Sequence, residues 1–266
     1  MVLTLTLTER ARMINRLLQH SGARPVDFEE MASVLGEAVG ASVFVIGRSG
    51  KILGHRVVDG SDCLFGPDGV VTRGEVGEVT TRRLLESTEE RVNERAPAGR
   101  CMFDDTRACE ACAQSIFTLI PVIGGGQRLG TLLLWRRTPP FGDEDVVLAE
   151  FGATVVGMEI LRSKTLEIEA EARDKAAVQV AIGSLSFSEL EAVQNIMQEL
   201  DGSEGLLVAS RIADRIGITR SVIVNALRKF ESAGVIDSRS LGMKGTYIRV
   251  LNEHLLPELR RMRAGG

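Results

Sequence analysis

The sequence predicts an α+β protein in three parts. These are a sensor-type α+β domain over residues 1–141, a long linker helix over 142–182 and a winged helix-turn-helix over 183–266. Three observations carry this reading. Helical patterns come first, and paired β-rich runs follow with a long excursion between them. The stretch 142–182 lacks proline and turns from apolar to charged. Near the C-terminus, two short helical patterns meet at a glycine and lead into a hairpin pattern.

At 266 residues the chain is comfortable for two domains, on a scale of roughly 100–200 residues each. Apolar residues are 44% and charged residues 26%, so folded cores are expected. Aromatics are only 4%, so Leu, Ile, Val and Ala must fill those cores. No apolar run reaches the ~18 residues of a membrane span. The segment 1–7 has no basic region or small-residue cleavage site, so a cytoplasmic protein without a membrane partner is expected.

In chain order, amphipathic helices are expected at 9–19 and 27–38, and strands at 41–46 and 52–58. Arg48-Ser49-Gly50-Lys51 forms a tight turn between the strands. Residues 115–123 and 129–136 read as a second hairpin, folded over at Gly124-Gly125-Gly126. Those glycines are not a phosphate loop, because no helix and no Gly-Lys-Ser/Thr follows. In the linker helix, Gly152 and Gly157 lie in an apolar half that packs on the first domain. The half from Arg162 to Lys175 is polar all round, as a helix crossing solvent must be.

Ser186-Phe187-Ser188-Glu189 is a capping box opening a helix that ends at Asp201-Gly202. A short helix then runs from Leu207 to Gly217, with Val208, Ile212 and Ile216 on one face and Gly217 as its left-handed stop. Thr219 caps the next helix, 220–233, which turns Ile223, Leu227 and Phe230 to the core. Residues 235–239 and 246–250 form a hairpin around Gly242-Met243-Lys244-Gly245.

The net charge of −4 argues against a polyanionic partner, but the average hides a contrast. Residues 207–250 hold eight Lys/Arg against three acids. Such segregation is the footprint of nucleic acid. The outward face of the second helix carries Arg220, Ser221, Val224, Asn225 and Arg228. Arg can bond guanine bidentately and Asn can do the same to adenine. These residues lie where a recognition helix meets the major groove. Double-stranded DNA is the expected partner; a helical protein–protein module with a solvated basic face is the other reading. The expected contacts are Ser210, Arg211, Thr219, Arg220, Ser221, Asn225, Arg228 and Lys229, with Arg239, Lys244 and Tyr247 on the wing.

All four cysteines, Cys63, Cys101, Cys109 and Cys112, lie in the excursion between the two strand pairs. Cys109 and Cys112 form a C-x-x-C. Four thiolates can close a tetrahedral zinc site, and soft sulfur ligands also suit an iron–sulfur cluster. Buried free thiols or one redox disulfide are the alternatives. His20, His55 and His254 are isolated, so an enzyme, including a nucleotide hydrolase, is not expected.

Residues 209–215, 217–229 and 238–247, together with 121–126 and 149–161, closely resemble the CodY family of global transcriptional regulators. The resemblance covers most of the chain. It implies a GAF-like sensor domain, a homodimer and regulation, mainly repression, of nutrient-limitation genes. It also implies GTP and a branched-chain amino acid as small-molecule effectors. For the nucleotide it points to Arg48, Lys51, Glu159 and Lys164, although one basic position of the family is Ser49 here. The family's amino-acid pocket uses an Arg-Met pair followed by a Phe-Pro element, which residues 59–114 do not carry. The nearest piece is Cys101-Met102-Phe103, making Met102 and Phe103 the pocket candidates. The alternative is a metal- or thiol-dependent regulator in which the four-cysteine site replaces that pocket.

Overall fold

The computed structural model describes residues 5–20, 27–58, 62–96, 99–104, 107–200 and 202–264. Two compact units divide at Thr165/Leu166.

In the first unit, helices α1 (Leu7–His20) and α2 (Phe28–Val39) precede the sheet. Asp27 starts α2, its carboxylate accepting the Glu30 amide at 2.9 Å. Strands β1 (Ser42–Gly47) and β2 (Ile52–Arg56) pair antiparallel across the expected Arg48–Lys51 turn, where the Gly47 amide donates to the Lys51 carbonyl at 2.8 Å. With β3 (Arg91–Glu94), β4 (Ile116–Gly124) and β5 (Gln127–Arg136), they make a five-stranded antiparallel sheet of order β2-β1-β5-β4-β3. Gly125 and Gly126 turn β4 into β5 with φ of 57° and 73°, the left-handed pair that a two-residue hairpin turn demands.

The strands are apolar on both faces, so both faces are covered. Val43, Val45, Leu132 and Leu134 cluster with α1, α2 and the first part of α7 (Asp143–Gly183). Phe44, Ile46, Leu133 and Trp135 point the other way and cluster with the excursion. That excursion contains α3 (Asp62–Phe65), α4 (Val70–Arg73), α5 (Glu78–Glu86), β3 and α6 (Glu110–Ala113). The sequence predicts none of these elements. Helices of four residues are too short to display a 3.6-residue period.

Helix α7 spans the expected linker. Leu148, Ala149, Val155, Val156 and Ile160 bury against the first unit, residues 164–176 are exposed, and Val178, Ala181 and Ile182 bury in the second. Arg10 and Arg136 grip Asp145 in its first turn at 2.5 and 2.6 Å.

The second unit contains α8 (Phe187–Glu199), β6 (Glu204–Leu207), α9 (Ala209–Ile216), α10 (Arg220–Ser232), β7 (Ile236–Ser240), β8 (Thr246–Val250) and α11 (Leu255–Ala264). The capping box forms on α8 as expected, with the Ser186 amide donating to Glu189 at 2.8 Å. Asp201, expected at the end of this helix, lies outside the described residues. The helix expected from Leu207 starts two residues later, because 204–207 is a strand. Leu206 and Leu207 pair with Tyr247 and Thr246, so the hairpin becomes a three-stranded sheet of order β6-β8-β7. No described helix is long and apolar enough to cross a membrane.

Candidate nucleic-acid interface and sensor sites

Helix α10 is set by its inward face. Ile223, Ala226, Leu227 and Phe230 are all buried, at i, i+3, i+4 and i+7. That stripe turns Arg220, Ser221, Val224, Asn225 and Arg228 outward, where all are exposed. The side chains of Arg220, Asn225, Arg228 and, on α9, Arg211 make no hydrogen bond or ion pair among the described residues. Four long polar side chains without an internal partner on one short helical pair suit an external anion.

Thr219 stands at the N-cap position with extended backbone, yet its side chain makes no cap hydrogen bond. The expected cap is corrected here: the Thr219 hydroxyl meets the Ser221 hydroxyl at 2.7 Å instead. The first-turn amides of α10 are left without a side-chain acceptor, at the positive end of the helix dipole. Lys229 also differs from the others. Its ammonium donates to the Ser184 carbonyl at 2.8 Å and to Glu189 at 2.7 Å, tying α10 to α8. This contact, together with the Ser186 amide, holds the Glu189 carboxyl below its ordinary range.

On the wing, Leu241 and Gly245 close a loop over a 3-10 turn, Gly242–Lys244. Lys244 and Arg239 are exposed, and Arg239 lies 3.6 Å from Asp237. Tyr247 is half-buried, and its phenol is raised above its usual range by a hydrogen bond to Glu204 on β6. Ser210 is exposed at the start of α9. Gly245 has φ 115°, and a Cβ there would stand 2.2 Å from the Leu207 carbonyl oxygen.

In the first unit, Arg48 and Lys51 are exposed on the β1–β2 turn. Ser49 of that turn lines a cavity of about 220 Å³ with Arg73, Glu75, Gly77 and Thr81. Glu159 is 5% exposed and pairs with Arg162 at 3.1 Å, while Lys164 is exposed one turn further along α7. No hydrogen bond or ion pair among the described residues joins the two turn cations to these two helix residues.

Met102 and Phe103 are 3% and 1% exposed, inside the layer that covers the sheet. The Phe103 ring lies 4.9 Å from Phe44 and 6.5 Å from Trp135. Arg83 donates to the Met102 carbonyl at 2.9 Å. Their side chains are packed core. The buried Trp135 indole N–H has no hydrogen-bond partner among the described residues. It is the chain's only tryptophan, and no motif in the sequence marks it.

The four cysteines converge. Their sulfurs all lie within 4.8 Å of one another, and the Cys101 and Cys112 sulfurs are 3.7 Å apart. Cys63 comes from α3, Cys101 from just after the isolated bridge in which Arg100 pairs with Ala108, Cys109 from the N-cap of α6 and Cys112 from α6 itself. Hydrogen bonds from the Cys112 and Cys63 thiols lower the Cys101 thiol to about 4, and donation to Cys101 raises Cys112.

A family model described as the CodY GAF-like domain matches residues 6–184, and one described as the CodY helix-turn-helix domain matches residues 203–263. The chain is 54% identical over 260 residues to the global transcriptional regulator CodY of Caldanaerobacter subterraneus subsp. tengcongensis, covering 97% of this chain and 99% of that one. It is 52% identical over 258 residues to the protein of the same name from Clostridium kluyveri, with coverage of 97% and 99%. Among solved structures, the cofactor-binding GAF domain of the nutrient sensor CodY from Clostridium difficile is 30% identical. It covers 59% of this chain and 99% of its own, with a TM-score of 0.43.

Proposed function

The chain belongs to the CodY family of global transcriptional regulators, and on that premise we propose that it works as an effector-controlled homodimer, mainly a repressor, at nutrient-limitation genes. The observation that carries the reading is the outward face of α10. Arg220, Ser221, Asn225 and Arg228 are exposed beside an uncapped helix N-terminus. These groups match base-edge and phosphate chemistry in the major groove of double-stranded DNA. A homodimer would set two such helices one helical turn apart. Effectors would act by favouring the dimer geometry that fits that spacing.

GTP is the proposed nucleotide effector. Arg48 and Lys51 supply free charge for its phosphates beside a cavity, and Lys164 is a third exposed cation. Glu159 is the weakest member of this set, because Arg162 already occupies its carboxylate. A branched-chain amino acid is the second proposed effector. The apolar layer around Met102 and Phe103 suits its side chain, and the unpartnered Trp135 N–H suits a polar group. The protein acts as a regulator and not as a catalyst, in the cytoplasm where the DNA is. Family membership does not favour the reading in which the cysteines replace the effector as the signal.

The test is selection of duplexes from a randomised pool by the full-length protein at fixed salt, with and without GTP and isoleucine. One preferred sequence should emerge, and the effectors should tighten it. Arg220→Ala or Asn225→Ala should weaken that sequence by ~1–3 kcal/mol and relax preference at one position. Recovery of no preferred sequence would sink the DNA-reading assignment. Unchanged affinity with both effectors would sink the effector assignment alone.

A further inference from the structure

We propose that Cys63, Cys101, Cys109 and Cys112 hold one zinc ion in a closed tetrathiolate site that fastens the excursion of the sensor domain. The site is independent of the effector reading above, since it assigns the ion a holding role.

Geometry is the first argument. Zinc–thiolate bonds of about 2.3 Å in a tetrahedron put the sulfurs about 3.8 Å apart. The Cys101 and Cys112 sulfurs stand at 3.7 Å, and every pair of the four lies within 4.8 Å. One ion can therefore reach all four with small side-chain adjustments. An iron–sulfur core places several ions and sulfides between its thiolates, which spreads them further apart than a single ion does. A disulfide would use two of the sulfurs and give no reason for the other two to converge.

The backbone around the sulfurs is the second argument. The Cys112 amide donates to the Cys109 sulfur at 3.4 Å. A neutral thiol is a weak acceptor, so an amide aimed at that sulfur suits a thiolate. Such outer partners orient ligands in metal sites.

The third argument is where the ligands sit. Cys63 lies on a four-residue helix, Cys101 beside the isolated Arg100–Ala108 bridge, Cys109 at the N-cap of another four-residue helix and Cys112 within that helix. None of these pieces is long enough to hold itself, and small loop-rich folds are commonly stapled by a metal. On binding, each cysteine that is still protonated gives its proton to solvent as its sulfur takes the ion. No electron moves and no co-reactant is needed.

The experiment uses the full-length protein, purified under reducing conditions without chelator. Elemental analysis should find about one zinc per chain and no acid-labile sulfide. Cobalt(II) exchanged into the wild-type protein should give the charge-transfer and ligand-field absorption of a tetrahedral tetrathiolate centre. Cys112→Ser should lose most of the metal. Since that variant can fail to fold, the cobalt spectrum of the wild type stands as the second readout. Iron with sulfide, a wild-type protein with no metal and four freely reactive thiols, a Cys101–Cys112 disulfide in the freshly purified chain, or a cobalt spectrum without thiolate charge transfer would each overturn the proposal.

Discussion

The DNA-facing module and the excursion of the sensor domain are built in opposite ways. In the module, the decisive contacts are close in sequence: Ser186 with Glu189, Thr219 with Ser221, and β7 with β8 across one short loop. The side chains of Arg211, Arg220, Asn225 and Arg228 point outward and make no hydrogen bond or ion pair among the described residues. In the sensor unit, decisive contacts reach far along the chain. Arg10 meets Asp145 at a separation of 135 residues, and Arg136 donates to the Val39 carbonyl 97 residues away. Cys63 joins three cysteines 38 to 49 positions downstream. There the chemically distinctive groups point inward. A module that reads a surface keeps its polar groups free. A layer with little regular structure must spend its polar and sulfur groups on holding itself together.

The comparison can be broken most directly at Asp145. Burial by itself would raise its pKa, but hydrogen bonds from Arg10 and Arg136 outweigh that and hold the carboxyl below its ordinary value. Its stabilisation is present in full above the unfolded value of about 4 and is lost as pH falls through the lowered folded value. Asp145→Asn should cost the sensor unit about 3 kcal/mol, at the low end for a broken ion pair because the carboxylate keeps some contact with water. Denaturant unfolding of the variant at neutral pH and in mild acid checks both statements. The acid-dependent part should vanish in the variant.

A local change should cost less. Ser186→Ala removes the cap of α8 and should destabilise the second unit by about 1 kcal/mol. An effect as large as that of Asp145→Asn would erase the contrast. Smallest of all is Thr219→Ala. Since Thr219 makes no cap hydrogen bond, thermal stability should change by less than about 0.5 kcal/mol. A loss of the size of Ser186→Ala would show that Thr219 caps α10 in solution.

The same division explains what could be read from the sequence. Helix α10 was legible because its period, its preceding turn and its exposed polar face all lie within a dozen consecutive residues. The long helix was legible because proline is absent and its polarity shifts along its length. Strand β6 was not, since Leu207 fits a helix face as well as a strand, and the partner that decides lies about forty positions on. The Lys229–Glu189 contact was not legible, because Glu189 lies 40 residues upstream. Cysteine content gave the candidate cluster, but only the fold brings α3 against α6. The packing of the Met102 and Phe103 side chains on β1 and β5 is invisible in a local motif.

The tight approach of Gly245 to Leu207 has a mechanical consequence. Leu207 is the last residue of β6, two residues before α9 begins, and Gly245 closes the wing loop. With no room for even a methyl group between them, the base of the wing has no hinge of its own against the first helix of the motif. The two elements share their degrees of freedom. A Cβ at position 245 would have to push the wing loop away from the Leu207 carbonyl, so the position of the wing at the start of the motif depends on this glycine.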